Sequence, residues 1–386
     1  MNKTGFGFLR LPMAGEQVDR ATVCRLADRF LELGGSYFDT AYTYLGGESE
    51  RALRECVVKR HPRDDFRIAD KLPTWLVHSR EDCARIFAEQ LERCGVETFD
   101  VYLLHGLDRE NYAACGAWDG FGFLAELKRQ GRVRRIGFSY HDDAHLLDRI
   151  LTEYPEVELV QLQINYLDWE SAVIQSRKCW EVARKHGVSI VVMEPVKGGN
   201  LASLPEDAAA MLRAMDPEAS PARWALRFVS SLHGVETVLS GMNAMAQIEE
   251  NLRDMPPLTD VEFTALMEAA EYIRSVTAVG CTGCGYCLDG CPQGIPIPSC
   301  FALYNEYRRS PGEKWKLEYA YAELSKDAGD CVGCGACAQI CPQKLDVPGH
   351  LRELARVFEQ EGNLWRPGRK SCGCCRGWRP RSTARA

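Results

Sequence analysis

From residue 5 to about 255, short runs of apolar residues alternate with longer segments in which apolar positions recur every three to four residues. The short runs predict strands at 5–9, 36–40, 66–71, 99–104, 133–138, 159–164, 189–194 and 236–240. Between them, 19–33, 81–94, 121–130, 142–153 and 172–186 read as amphipathic helices. Glycine follows several of these helices, at Gly34-Gly35, Gly131 and Gly187, where a left-handed cap belongs. Strands apolar on both faces belong to a parallel sheet covered by helices, and eight βα units close a barrel. The fold class is therefore α/β, a (β/α)8 TIM barrel over residues 1–255. An open doubly wound sheet is the rival, but no GxGxxG follows the first strand.

Pro256 and Pro257 end that pattern, and 259–278 predicts a helix leading out of the barrel, within a connecting segment at 256–280. A second, mainly α-helical domain is expected at 281–362, with helices at 299–309, 314–327 and 351–362. The tail at 363–386 is rich in Arg and Gly, carries Cys372, Cys374 and Cys375, and is expected to be disordered.

The second domain holds the strongest chemical signal. Cys281, Cys284, Cys287 and Cys291, followed by Pro292, form C-x2-C-x2-C-x3-C-P, and Cys331, Cys334, Cys337, Cys341 and Pro342 repeat it. This spacing wraps three thiolates around one iron–sulfur cube and hands the fourth to the neighbouring cluster. Two [4Fe-4S] clusters are expected, one on Cys281, Cys284, Cys287 and Cys341, the other on Cys331, Cys334, Cys337 and Cys291. Zinc is the alternative, but its sites favour separated CxxC pairs over four cysteines in one run.

Composition changes the picture only by exclusion. The 386 residues are 46% hydrophobic and 26% charged with net charge −7, so nucleic acid is not an expected partner. No run approaches the roughly 18 apolar residues of a membrane span, and MNKTGFGFLRLP lacks a signal-peptide core. Ten of the 18 cysteines lie outside the cluster motifs and look scattered, which predicts a cytoplasmic protein.

In a barrel, chemistry sits at the C-terminal ends of the strands. Those ends hold Asp39 in FDTAYTY, Lys71 in IADKL and His105 in VYLLHG, with Tyr44 shortly after Asp39. At this point the chain resembles the aldo/keto reductases over about residues 5–255, in GGSYFDTAYTY, GGESE, ADKL, LLHG, IGFS, VQLQINY and SGMNAMAQIEENL. The resemblance implies a catalytic tetrad of Asp39, Tyr44, Lys71 and His105. The C-terminal extension is similar to the subgroup in which such a barrel is fused to a ferredoxin-like domain.

The resemblance further implies NADP(H) or NAD(H) as cofactor and a small aldehyde or ketone as substrate. It places Ser139, Gln161 and Asn165 near the nicotinamide, and Ser240, Gly241, Gln247, Glu250 and Asn251 near the adenosine end. Ser240-Gly241-Met242-Asn243 offers no cation for a 2′-phosphate, with Arg253 and Lys197 the next sources of charge. In this chemistry Lys71 is expected to lower the phenol pKa of Tyr44 through its charge. Substrate choice is assigned to strand-end loops at 73–80, 106–120 and 198–220. A hydride moves two electrons whereas a cluster accepts one, so a flavin would be the usual intermediary, but no flavin motif is present. An electron-transfer or redox-sensing protein that uses the barrel as scaffold and docks a redox partner is the competing reading.

Overall fold

The computed structural model describes residues 3–309 and 314–359. Its described residues fall into two compact units, Met1–Val276 and the chain from Thr277 onward.

The first unit is a closed parallel barrel of eight strands. In chain order these are β1 (Thr4–Gly7), β2 (Tyr37–Asp39), β3 (Arg67–Pro73), β4 (Phe99–Leu107), β5 (Val133–Tyr140), β6 (Leu159–Gln163), β7 (Ser189–Met193) and β8 (Val235–Ser240). Each strand pairs with its successor, and β8 closes on β1 through Phe6 opposite Ser240. Residues alternate between two environments because successive strand side chains point to opposite faces. Tyr37, Ala69, Val101, Leu103, Leu159, Val191 and Leu239 fill the barrel interior. The other face of each strand packs under the helices in one continuous core that includes Phe38, Ile68, Leu72, Leu104 and Phe138. Gly137 marks the tightest strand approach, since a Cβ there would lie 2.0 Å from the Leu159 carbonyl oxygen.

The Asp260–Val276 helix belongs to the barrel unit, correcting its expected role as a connector. It buries Leu266, Ala269, Ala270 and Ile273 in the barrel's outer core. Its start is fixed by Arg227, which donates to the Pro256 and Pro257 carbonyls and pairs with Glu262 at 2.8 Å. Two expected loops also contain helices, Arg109–Ala117 and Glu206–Met215. A disulfide joins Cys24 to Cys56, so the cysteines outside the cluster motifs are not all scattered singly as the sequence suggested.

The second unit is helical among its described residues, with Tyr286–Asp289, Ile297–Arg309, Lys314–Ala322, Ala336–Gln339 and Val347–Glu359. Val279, Ile295, Phe301, Tyr304, Tyr321, Leu351, Leu354 and Phe358 form its core. The tail at 363–386, with Cys372, Cys374 and Cys375, lies outside the described residues.

Candidate active site and cluster-binding domain

The alternation that fills the barrel interior carries a polar layer above it. Asp39 follows Tyr37 on the inward face of β2, Lys71 follows Ala69 on β3, and His105 follows Leu103 on β4. The registers step them along the barrel mouth, with Asp39 opposite Ala69 and Lys71 opposite Leu103. The Lys71 ammonium donates to Asp39 Oδ1 at 2.6 Å, to the Thr40 carbonyl at 2.7 Å and to the Tyr44 hydroxyl at 3.4 Å. Tyr44 and His105 meet edge to face with ring centroids 5.7 Å apart. All four side chains are buried, Lys71 completely.

Electrostatics separate their roles. Burial pushes the Tyr44 phenol well above its ordinary pKa, and the charges of Asp39, of Glu194 and of Asp70 when it is ionised push in the same direction. This reverses the expected lowering. Burial is the leading cause, and Lys71 lies closer to Asp39 at 2.6 Å than to the Tyr44 hydroxyl at 3.4 Å. Asp39 is itself raised by burial, against the opposing pull of Lys71. Burial, Lys71 and His141 hold His105 well below its usual pKa, so its imidazole is neutral. Among the described residues His105 Nδ1 finds no hydrogen-bond partner.

Around this centre, Ser139 Oγ accepts from the Gly106 amide at 2.7 Å and retains its own hydroxyl proton for donation. Gln161, opposite Ser139 on β6, is buried and leaves Oε1 without a partner. A buried polar atom left open in this way fits a site shaped for an amide-bearing ligand. Asn165 is differently placed. Its amide donates to Asp168 Oδ2 at 2.9 Å and to the Glu194 carbonyl at 3.3 Å, and its Oδ1 accepts from the Asp168 amide. Both amide hydrogens are used internally, and the remaining lone pair of Oδ1 is what Asn165 could offer a cofactor amide. Lys197 is buried against Asp168 at 2.6 Å, which removes it as a cation for a 2′-phosphate.

At the end of β8, Ser240 accepts from Asn251 at 3.1 Å. Gln247 Oε1 caps the Met245–Asn251 helix by accepting from the Asn243 and Ala244 amides. Glu250 is half-buried and Gly241 is exposed. The Arg10 stem lies 3.5 Å from the position a Cβ would take at Gly241, making Arg10 a neighbouring cation that sequence reading missed. Also missed was Trp75, half-exposed, whose ring centroid lies 5.0 Å from that of His105.

In the second unit the two cysteine motifs share one local fold. Gly285 and Gly335 take φ of 85° and 81° and start matching one-turn helices, and Gly283 and Gly333 take 64° and 70°. These left-handed bends let the chain curl around a group, as glycine permits. Cys291, Cys331, Cys334 and Cys337 line one cavity, which also has walls from Ile295, Ile297 and Leu351. Cys287 is raised to about 12, first by burial and then by Cys284, Cys281 and Cys341. The Gly283 amide donates to Cys281 Sγ at 3.4 Å. Thiols that burial and mutual repulsion hold protonated release their protons when a metal supplies the compensating charge. The residues present fit iron–sulfur clusters.

Comparison with known proteins agrees with both halves. Residues 3–271 match the family described as "Aldo/keto reductase family", and residues 280–345 match "4Fe-4S dicluster domain". An aldo-keto reductase of Mycolicibacterium smegmatis is 28% identical over 207 residues, covering 53% of this chain and 67% of that protein. An NADH-specific methylglyoxal reductase of Escherichia coli is 25% identical over 223 residues, covering 51% of this chain and 66% of that protein. An aldo-keto reductase from Bacillus halodurans superposes with a TM-score of 0.59 at 24% identity, covering 69% of this chain and 91% of that one. One from Klebsiella pneumoniae in complex with NADPH gives 0.56 at 19%, covering 69% and 90%. At these identities the solved structures bear on the fold.

Proposed function

Because the chain belongs to the aldo/keto reductase family and carries a 4Fe-4S domain after its barrel in sequence, we propose that it reduces an aldehyde or ketone with NAD(P)H. The observation that supports this most is the buried contact of Lys71 with Asp39 and Tyr44 beside a neutral His105. The nicotinamide would supply the hydride. Ser139 and the open Gln161 Oε1 would hold its carboxamide, while Ser240, Gly241, Gln247, Glu250 and Asn251 would take the adenosine end.

The protein's own contribution is the proton. Reduction leaves negative charge on the carbonyl oxygen, and Tyr44 donates its hydroxyl proton there. The raised phenol pKa keeps that proton in place at neutral pH. Once it is given up, the phenolate faces the Lys71 ammonium, and the Asp39–Lys71 pair stabilises the new anion without leaving its place. His105, neutral and with Nδ1 open, orients the carbonyl oxygen by hydrogen bonding. General acid catalysis of this kind contributes roughly 10²–10⁴ in rate.

The second unit is proposed to hold two [4Fe-4S] clusters with crossed ligation. Cys291 shares a cavity with Cys331, Cys334 and Cys337, and Cys341 acts electrostatically on Cys287, as crossing requires. Cys334, Val332 and Ile340 are exposed, which favours electron exchange with a redox partner protein. A cytoplasmic setting is part of the same proposal. Among the described residues no helix is long and apolar enough to cross a membrane.

An absorption spectrum of anaerobically purified protein, before and after NADPH, tests the two halves together. Nicotinamide oxidation on adding a carbonyl compound supports the reductase reading. Cluster bleaching by NADPH alone would favour the alternative in which the barrel serves electron transfer.

A further inference from the structure

Behind the catalytic mouth lies a second polar layer. The alternation on β3 that turns Lys71 into the barrel turns Asp70 outward, beneath the helices. There it meets Glu50 of the Glu48–Leu53 helix, and both carboxyl groups are completely buried. Asp70 Oδ1 accepts from the Lys71 amide at 2.8 Å and from Gln90 Nε2 at 2.7 Å, while Oδ2 accepts from Cys94 Sγ at 3.6 Å. Glu50 Oε2 pairs with Arg93 at 3.0 Å. Carboxyl oxygens of Asp70 and Glu50 lie within 4.8 Å of each other, and the Glu50 charge raises Asp70.

Two carboxylates this close, with Arg93 engaged by Glu50 and Lys71 engaged by Asp39, do not both ionise in a buried site. Glu50 holds Arg93, so the shared proton resides on Asp70. The same Arg93 donates to the Tyr42 carbonyl at 3.4 Å and lies over the Tyr42 ring at 4.2 Å, within the loop that joins Asp39 to Tyr44. The pair therefore touches both sides of the tetrad, the Lys71 backbone through Asp70 and the Tyr44 loop through Glu50 and Arg93. Ligand atoms of Glu50, Asp70 and Cys94 lie within 4.8 Å of one another. A metal is the poorer reading, because Cys94 already donates its thiol hydrogen to Asp70.

We propose that Asp70 is a positioning residue: as a neutral carboxylic acid sharing its proton with Glu50, it fixes the Lys71 end of β3 relative to the Tyr44 loop. The proposal rests on the reductase reading above. Loss of the shared proton would set two anions against each other beneath Lys71. The groups facing Asp70 are Lys71 on its own strand, Glu50, then Gln90, Arg93 and Cys94 from the Arg80–Cys94 helix. Tyr102 from β4 donates to Gln90 at 2.5 Å, and an ionised Asp70 would raise the Tyr44 phenol in the mouth. Arg93 and Lys71 are the cations among them, and each is already paired, Arg93 with Glu50 and Lys71 with Asp39. Burial and Glu50 both raise Asp70, so its contribution to stability is present below the ordinary carboxylate range and is lost as pH rises through its folded value.

The test compares the full-length, cluster-loaded protein with its Asp70→Asn variant. Asparagine keeps the acceptor at Oδ1 and a donor toward Glu50, gives up only the Cys94 contact at Oδ2, and cannot ionise. In the wild type kcat is expected to fall on the alkaline side by about tenfold per pH unit with KM little changed, and this limb disappears in Asp70→Asn. An infrared titration follows the carbonyl band of a protonated carboxyl, expected in the wild type, absent in Asp70→Asn and lost in step with kcat. An unchanged alkaline limb in Asp70→Asn, or no such band in the wild type, overturns the proposal. If Asp70→Asn does not fold, the wild-type band decides by coinciding with the kcat transition or failing to. Absence of any turnover would count against the reductase reading, and the band would still decide whether the proton is shared.

Discussion

Lys71 Nζ stands 2.6 Å from Asp39 Oδ1 and 3.4 Å from the Tyr44 hydroxyl. This asymmetry makes the ammonium a partner of the carboxylate first and of the phenol second. Tyr44 therefore rests as a buried neutral donor, and the lysine's charge matters most after the proton has left. Tyr44→Phe is expected to lower kcat for carbonyl reduction by about 10²–10⁴ while the dissociation constant for NADPH changes little. Steady-state rates and a fluorescence titration of the cofactor check the two halves separately. Unchanged turnover would remove Tyr44 from the role of acid.

The same geometry sets opposite pH dependences for the two directions of reaction. Reduction needs the protonated phenol, whose pKa is raised, so ionisation of Tyr44 removes no reductive activity below its ordinary value near 10. Alcohol oxidation needs the phenolate and, in Asp70→Asn where position 70 cannot ionise, should climb with pH across the whole range below that value. Rates in both directions on one alcohol–carbonyl pair check this. An oxidation rate that levels off near neutrality would mean that the phenol is lowered after all.

Much of this was legible in the chain. All eight strands fall within three residues of where apolar runs place them, because a strand buried on both faces has little choice but continuous Val, Ile, Leu and Phe. The Arg109–Ala117 helix was not legible. It buries only Tyr112 and Cys115, too few positions to print a helical period. Asp70 carried a readable signal. An aspartate just before an inward Lys71 must face the helix layer, where an unpaired charge is costly, so buried partners were implied. The direction of the Tyr44 shift was not legible, since it depends first on burial.

Cofactor choice follows from the cations near the adenosine end. Ser240–Asn243 offers none, and Lys197 is committed to Asp168. NADPH and NADH are expected to support reduction with kcat/KM values within about tenfold, equivalent to about 1.4 kcal/mol. Kinetics with both cofactors measure this. A strong preference for NADPH would point to Arg10, beside Gly241, or to Arg253, and Arg10→Ala would then bring the two cofactors together.

The Arg227–Glu262 pair fixes the helix that closes the barrel unit. Hydrogen bonds from Arg227 and Thr259 hold the Glu262 carboxyl down at about 2, against an ordinary value of 4.5. A depressed acid stabilises the fold above its unfolded pKa and loses that contribution as pH falls through the folded one. Glu262→Gln should therefore lower stability by about 1–2 kcal/mol at neutral pH, after allowance for solvent screening. The difference from wild type should shrink between about pH 4.5 and pH 2. Denaturant midpoints at several pH values measure it, and a pH-independent difference would assign the effect to packing.

Crossed ligation makes the two cysteine motifs depend on each other. If Cys291 belongs with Cys331, Cys334 and Cys337, as their shared cavity suggests, its loss damages the cluster of the other motif. Cys291→Ser is then expected to spare the cluster held by Cys281, Cys284 and Cys287, lowering iron from about eight to about four atoms per chain. Cys341→Ser should do the reverse. The motifs are separated by a helical excursion that has few reasons to fold without metal at both ends, so chelation should melt this unit first. The barrel has its own core and should keep its far-ultraviolet signal and its nicotinamide binding through that transition. Iron analysis, paramagnetic resonance of the reduced protein and a two-step melting curve together decide the matter. Near four iron atoms in the wild type would mean a single occupied site, and retention of all iron in Cys291→Ser would mean that the ligation is not crossed.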